Sequence, residues 1–433
     1  MKKLLSFSDN KTVYSWALYD WANSAYATTI IAAVLPTYYS KVAASQLAPN
    51  IASSYWAYST TIAMVLLVFM APILGAIADY NKSKLKFLFG FVVIGVTFTG
   101  LLYFIQEGDW LLASIFYILS RAGWSGANVF YDSFLPHIAK KNEIDQVSTF
   151  GYALGYLGGA LLLALNLGMI LSPQTFGIPN TGMGTQLSFL SVACWWALFS
   201  IPLFKTIKEP DIYPNKDDKK NTLIIAFQRL SITFKEMRNF RQAFLFLIAF
   251  WFYNDGIGTI MVMAVIFGTE IGIGQDHLIG AILAVQLIGI PFTILFGKLA
   301  AKINVKRSIY FGLLVYTLIS IGGYFMQSAI HFWMLAIAVG MVQGGTQALS
   351  RSVYGQMTPK KKSAEFFGFF DVSQKFSGIL GPLVFGLIGQ ITGSSRLSIF
   401  ALVVFFLGGM YILSKVNIEQ GIKASTDADI RDN

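Results

Sequence analysis

The sequence has little of what soluble enzymes are built from. It contains one cysteine, Cys194, so no disulfide framework and no thiolate metal site can form within the chain. It contains three histidines, His137, His277 and His331, each at the edge of an apolar run. No His-rich or acidic spacing suits a metal ion, and no glycine-rich stretch carries the Gly-Lys-Ser/Thr of a phosphate loop. A nucleophile–base set is absent as well. Charged residues make up only 12% of the chain, and period-two alternation of polar and apolar residues is missing, which excludes a strand barrel. These absences point away from an enzyme, and from any metal or cofactor.

What the chain has is apolar sequence. Its 433 residues are 55% hydrophobic, with a mean hydropathy of +0.59, the composition of a polytopic membrane protein. Apolar runs are read at 14–40, 53–78, 87–105, 110–136, 148–171, 186–204, 242–268, 277–300, 308–326, 331–356, 366–391 and 397–414. A helix of about 20 residues crosses a hydrocarbon core of ~30 Å. The first run follows a polar arm and is too long for a cleavable signal, so it is expected to stay as a helix.

The positive charge is one-sided. When the runs are threaded alternately through a membrane, all but five of the 32 Lys and Arg fall in loops on one side. Lys41 and Arg396 fall on the other side, while Arg121, Arg351 and Lys375 lie within runs. The positive-inside rule then predicts both termini in the cytoplasm. The net charge of +10 is read as loop charge facing anionic lipid headgroups, not as a nucleic-acid surface.

The chain divides into a six-helix half at 1–204, a charged linker at 205–241, a second six-helix half at 242–414 and a tail at 415–433. The linker carries Pro210, Pro214 and Lys216-Asp217-Asp218-Lys219-Lys220, with an amphipathic piece predicted at 222–238. The halves repeat. Trp21-Ala22-Asn23-Ser24 matches Phe252-Tyr253-Asn254-Asp255, Gly75 matches Gly297, Tyr131 to Pro136 matches Tyr354 to Pro359, and Gly155 with Gly158 matches Gly378 with Gly381. The expected fold is therefore an all-α membrane protein of twelve transmembrane helices in two six-helix pseudo-repeats. Parallel halves joined by a linker describe the major facilitator architecture, which binds its solute between the halves near the midplane.

Seven ionisable residues sit inside apolar runs: Asp20, Arg121, Asp132, Asp255, Arg351, Asp371 and Lys375. Such groups are costly in lipid and should face a cavity or a partner. Arg121, Ser125, Asn128 and Asp132 share one helical face, as do Gln343, Gln347 and Arg351. Asp20, Asn23 and Ser24 form a polar face in the first run, and Asn254, Asp255 and Thr259 form one in the seventh. At 1.5 Å per residue, Arg121 and Asp255 lie near the midplane and the other five nearer the cytoplasmic mouth. Arg121, Asp255, Asn23, Tyr26, Asn128, Asn254, Gln343 and Gln347 are the expected solute-binding set. Asp20, Asp132, Arg351, Asp371 and Lys375 are the expected gating or coupling set. Asp371 and Lys375, four apart, are expected to pair within one helix.

Gly75-Ala76-Ile77-Ala78-Asp79 followed by Lys82, Lys84 and Lys86 resembles the superfamily's loop motif, in which a glycine permits close approach and the Asp contacts a helix end. The second half keeps Gly297 and Lys306-Arg307 but has Ala301 in place of the Asp. Gly155, Gly158 and Gly159, with Gly378 and Gly381, read as packing seams.

Three segments carry a family resemblance: Tyr19 to Tyr26 (YDWANSAY), Gly344 to Ser352 (GGTQALSRS) and Gly151 to Gly159 (GYALGYLGG). They resemble the vacuolar-effluxer branch of the major facilitator superfamily, which comprises the fungal autophagy effluxers and bacterial relatives. The resemblance extends over essentially the whole chain. It implies a secondary transporter, with amino-acid export known for fungal members, and the short loops imply a bacterial inner membrane. The expected function is alternating-access transport of a small polar or zwitterionic solute, with protons as a candidate coupling ion. The expected partners are that solute and the lipid bilayer, with the protein a monomer. The rival readings are a lipid or drug transporter and a non-transporting membrane sensor or scaffold.

Overall fold

The computed structural model describes residues 9–210, 240–392 and 394–431. The amphipathic piece expected at 222–238 lies outside the described residues. Every apolar run is helical, and no strand occurs among the described residues. The first half contains α1 (Asn10–Ala25), α2 (Pro49–Asn81), α3 (Lys84–Leu101), α4 (Trp110–Ser133), α5 (Ile144–Leu171) and α6 (Thr181–Thr206). The second contains α7 (Arg241–Glu270), α8 (Gln275–Ile303), α9 (Val305–Tyr324), α10 (Ala329–Gln356), α11 (Ser363–Thr392) and α12 (Val403–Ser414), with Ser395–Ala401 leading into α12.

By length and composition, nine helices among the described residues can cross a membrane. The runs 14–40, 110–136 and 366–391 are helical too, but they carry Asp20, Arg121, Asp132, Asp371 and Lys375. Outward-facing side chains such as Phe89, Leu198, Val262, Leu318 and Val404 are exposed, as a lipid-facing belt requires.

Local signals set the helix ends. The Asp9 carboxylate accepts from Thr12 N at 3.1 Å, and the Asn180 side chain accepts from Met183 N at 2.9 Å, each satisfying a free first-turn donor. Pro72, Pro202 and Pro291 sit inside α2, α6 and α8, where each removes one backbone bond. Beyond Ala25 the first helix passes into a π-helical stretch at Tyr26–Ala33, a short α turn at Leu35–Tyr38 and a second π stretch at Tyr39–Ala43.

Each half has its own core. Trp16, Tyr26, Phe130 and Trp196 are buried in the first, and Phe250, Tyr253, Tyr316 and Phe406 in the second. Between the halves, α2 packs on α11 and α5 packs on α8 and α10. In the α1–α5 seam, a side chain at Gly155 would strike Ser24 Oγ, one at Gly158 the Trp21 carbonyl and one at Gly159 the Thr28 methyl, so only glycine fits at this approach.

The sequence marks residues 415–433 only as a tail. It forms a thirteenth helix, α13 (Ile418–Arg431). Its apolar side rests on α7 and α10, where Gly421 lies against Met357, and Gln242 Nε2 donates to Gln420 Oε1 at 3.0 Å. Lys141, in the first half, donates to Thr426 Oγ1 at 2.8 Å, so α13 touches both halves.

Candidate functional site

The end of the bundle at which α6 stops and α7 starts, here the linker end, holds the densest charge cluster. Arg351 on α10 is 2% exposed. Its Nη1 donates to Asp132 Oδ1 on α4 at 2.9 Å, and its Nη2 lies 3.2 Å from Asp20 Oδ2 on α1. Its Nε donates to Ser148 Oγ at 2.9 Å and its Nη2 to the Ser148 carbonyl at 3.0 Å. The guanidinium plane lies over the Tyr152 ring at 4.4 Å and the Trp16 ring at 4.8 Å. Tyr131 Oη adds a bond to Asp20 Oδ2 at 2.8 Å. A Cβ at Gly151 would stand 2.6 Å from Asp20 Oδ2, so the glycine makes room for the cluster.

Asp20, Asp132 and Arg351 are thus brought together, as their helical depth predicted. Asp371 is buried on α11, which packs on α4. The Lys375 side chain, its expected partner, lies outside the described residues, as does the neighbourhood of Gly378. Ser148, Tyr152 and Trp16 escaped the sequence reading. The signal for Ser148 and Tyr152 was their one-turn spacing with Gly155 on α5, and Trp16 carried none.

A second inter-half contact lies at the same end. Asp79 Oδ1 and Lys84 Nζ pair at 2.8 Å, each side chain 1% exposed. Asp79 Oδ2 accepts from Glu365 N at 2.9 Å in the first turn of α11, where a carboxylate suits free N–H groups. Lys84 Nζ also donates to Ser363 Oγ at 2.6 Å. Gly75 packs directly on the Ala364 carbonyl. The sequence placed Lys84 among the loop cations; pairing with Asp79 is what allows its burial. The Glu209 carboxylate accepts from Lys84 N and Leu85 N, each at 2.8 Å, and caps α3. In the second half, where Ala301 replaces the acid, Lys306 Nζ turns to the carbonyls of Ser414 and Val416 at 3.1 and 2.7 Å. Asp145 completes this end by accepting from Ser352 Oγ and from Gln356 Nε2.

Towards the middle of the bundle each half carries a side-chain amide pair. Asn23 Nδ2 donates to Asn128 Oδ1 at 2.8 Å, and Gln347 Nε2 donates to Asn254 Oδ1 at 2.6 Å. Tyr26 Oη bonds Ser120 Oγ at 2.8 Å, and its ring stacks on Trp124. Arg121 lies over the Trp124 ring at 5.0 Å. Its Nε and Nη1 are buried without a hydrogen-bond partner among the described residues, and so is Gln343 Oε1. Arg121 as a whole is only half-buried, but buried donors without a partner are costly, which suits the group to an anion.

Asp255 is 1% exposed, in the α7–α11 seam. Its Oδ1 accepts from Gly381 N at 2.9 Å, while its Oδ2 is buried without a partner among the described residues. Gly381 has no room for a side chain because Thr259 Oγ1 fills that space. Asp255 therefore faces α11 at close quarters instead of open space.

The Atg22-like vacuole effluxer family model matches residues 49–426. An uncharacterised major-facilitator-type transporter of Bacillus subtilis, YxiO, is 40% identical over 421 residues, covering 97% of each chain. Autophagy-related protein 22 of Yarrowia lipolytica is 24% identical, covering 86% of this chain and 77% of its own. Among solved structures, the proton:xylose symporter XylE superposes with a TM-score of 0.70 at 12% identity, covering 94% of this chain and 95% of its own. That likeness establishes the fold as the major facilitator fold. The match along most of the sequence shows that the chain belongs to the Atg22-like vacuole effluxer family of the major facilitator superfamily.

Proposed function

We propose that the protein is a secondary transporter that moves a small polar or zwitterionic solute, such as an amino acid, by alternating access. In this reading the solute lies between the halves. Arg121 receives its carboxylate, and Asp255 receives an ammonium when α11 shifts. Asn23, Tyr26, Asn128, Asn254, Gln343 and Gln347 supply neutral contacts around it. The observation that carries the reading is the half-buried Arg121, whose Nε and Nη1 are buried and unpartnered among the described residues. A binding site is a natural place for such a group, because a ligand repays its desolvation.

The linker end is the cytoplasmic face in this proposal, with both termini inside, as the Lys and Arg distribution favours. Asp20, Asp132 and Arg351 then form the inner gate, with Asp371 beside it. The bacterial inner membrane is the proposed location, and the family's description as vacuole effluxers favours export.

The test is flux in proteoliposomes. Purified protein is screened against amino acids by thermal shift, since a bound ligand stabilises by mass action. Stabilising compounds are then followed as radiolabelled solutes. Arg121→Ala and Asp255→Asn are each expected to lower flux at least about tenfold. Wild-type flux in both variants would remove the solute site from this position.

A further inference from the structure

His137 stands outside the long helices, on the short helix Leu135–Ile138 between α4 and α5. Its Nε2 lies 3.3 Å from Lys84 Nζ and 3.0 Å from Ser363 Oγ. The Lys84 ammonium already gives N–H groups to Asp79 Oδ1 and Ser363 Oγ, which leaves one for the imidazole. The neutral ring with its proton on Nδ1 offers the single lone pair of Nε2, which the ammonium and the hydroxyl share.

We infer that His137 is a proton-binding site that releases the linker-end contact between α2, α3 and α11 when the cytoplasm acidifies. This rests on the alternating-access reading above. A proton on Nε2 turns the acceptor into a donor facing an ammonium. The Lys84 N–H···Nε2 bond is lost, and two positive charges stand 3.3 Å apart in a buried setting. Ser363 can turn to accept, but it cannot cancel the charge.

The groups facing the ring are Lys84 from α3, Ser363 from α11 and Lys360 just ahead of α11, and Asp79 from α2 is reached through Lys84. Asp79 is already bonded to Lys84 and to Glu365 N. Burial first, then the Lys84 and Lys360 charges, hold His137 well below the ordinary imidazole range, against a backbone bond from Lys360 that favours the charged ring. When α11 swings away, the ring meets water and returns towards about 6.5. The open form therefore binds the proton more tightly. The advantage of the closed form is full above the ordinary value and is lost as pH falls below it.

The experiment uses the full chain in lipid nanodiscs with Cys194→Ser. Spin labels are placed at Lys86→Cys on α3 and Lys302→Cys on α8, both exposed and on opposite halves. Distances are measured by pulsed electron resonance. From pH about 8 to about 5.5 the long-distance population is expected to rise at least about fivefold in the wild-type background. His137→Gln keeps a polar group that cannot charge, and should hold the pH 8 distribution throughout. His137→Arg should show the long distance at both pH values. A wild-type distribution indifferent to pH overturns the inference without any variant, and so does an undiminished rise in His137→Gln or in His137→Asn. Solute flux is a separate measurement: a pH-dependent distance without flux leaves the latch standing and removes the transport reading.

Discussion

Arg351 Nη1 donates to Asp132 Oδ1 across 2.9 Å and joins α10 of one half to α4 of the other. The same guanidinium reaches Asp20 on α1 and Ser148 on α5. One side chain therefore holds four helices, and one of its partners, Asp20, also anchors Tyr131. The fork geometry of arginine is what permits several partners in fixed directions.

Removal of that side chain leaves two half-buried carboxylates side by side. Arg351→Ala is expected to cost the closed linker end about 3–5 kcal/mol. A cysteine placed at Ala348, fully buried in this seam, should then react with maleimide far faster than in the parent protein. Arg351→Lys should not restore protection, because an ammonium cannot span Asp20, Asp132 and Ser148 at once. Unchanged reactivity in the Ala variant would show that the cluster does not hold this end shut.

The Asp79–Lys84 pair is buried on both sides, so its two residues should couple. A double-mutant cycle of Asp79→Asn and Lys84→Met is expected to return an interaction on the order of 2 kcal/mol in thermal unfolding. Lys306 offers the contrast. Among the described residues its ammonium bonds only backbone carbonyls, and Lys306→Met is expected to cost about 1–2 kcal/mol. Equal, additive effects of Asp79 and Lys84 would argue that the pair is incidental.

Proton coupling is expected to act through the inner cluster. Solute flux in vesicles should follow an imposed pH gradient, and Asp20→Asn should remove that dependence while exchange continues. The reason is that opening this end frees the Asp20 carboxylate from Arg351 and Tyr131. Flux in the parent protein that ignores the gradient rejects the coupling.

Orientation is checked by labelling. A cysteine at Gln174, between α5 and α6, should react with an impermeant reagent from outside intact cells. One at Asn215 in the linker should react only after the cells are opened. Reaction of both from the same side contradicts the threading.

Arg396 is one of the two cations in loops on the sparsely charged side. Its Nη1 donates to the carbonyls of Tyr324 and Met326 at 2.9 and 2.6 Å, tying the approach to α12 to the end of α9. Arg396→Ala should lower unfolding stability by about 1–3 kcal/mol while leaving flux per folded molecule unchanged. Lys41→Ala is expected to change neither.

Much of the site was legible because charge in an apolar run is rare and its helical depth can be counted. That is why Asp20, Asp132 and Arg351 could be grouped from spacing alone. Ser148 and Tyr152 could not, since serine and tyrosine are ordinary inside membrane helices. Lys84 was misread for a related reason: a lysine beside a helix end looks solvated until its partner across the fold is known. Asp255 pointed correctly to a polar face of α7, but its bond to Gly381 N depends on how α11 lies, which no local pattern encodes. The helix at Ile418–Arg431 was hidden because its few apolar residues gain burial only against α7 and α10.

The π-helical stretches of the first helix act as a phase adjustment. Its linker-end portion is pinned by Asp20 to Arg351 and Tyr131, and its far portion by Tyr38 to the Ile105 carbonyl and Tyr39 to Ser114. Each residue added to or taken from a helix turns everything beyond it by about 100°. Losing one residue between Tyr26 and Ala33 would therefore leave a helix of ordinary hydrophobicity whose two ends could no longer meet their partners together. In this segment chain length carries information that composition does not.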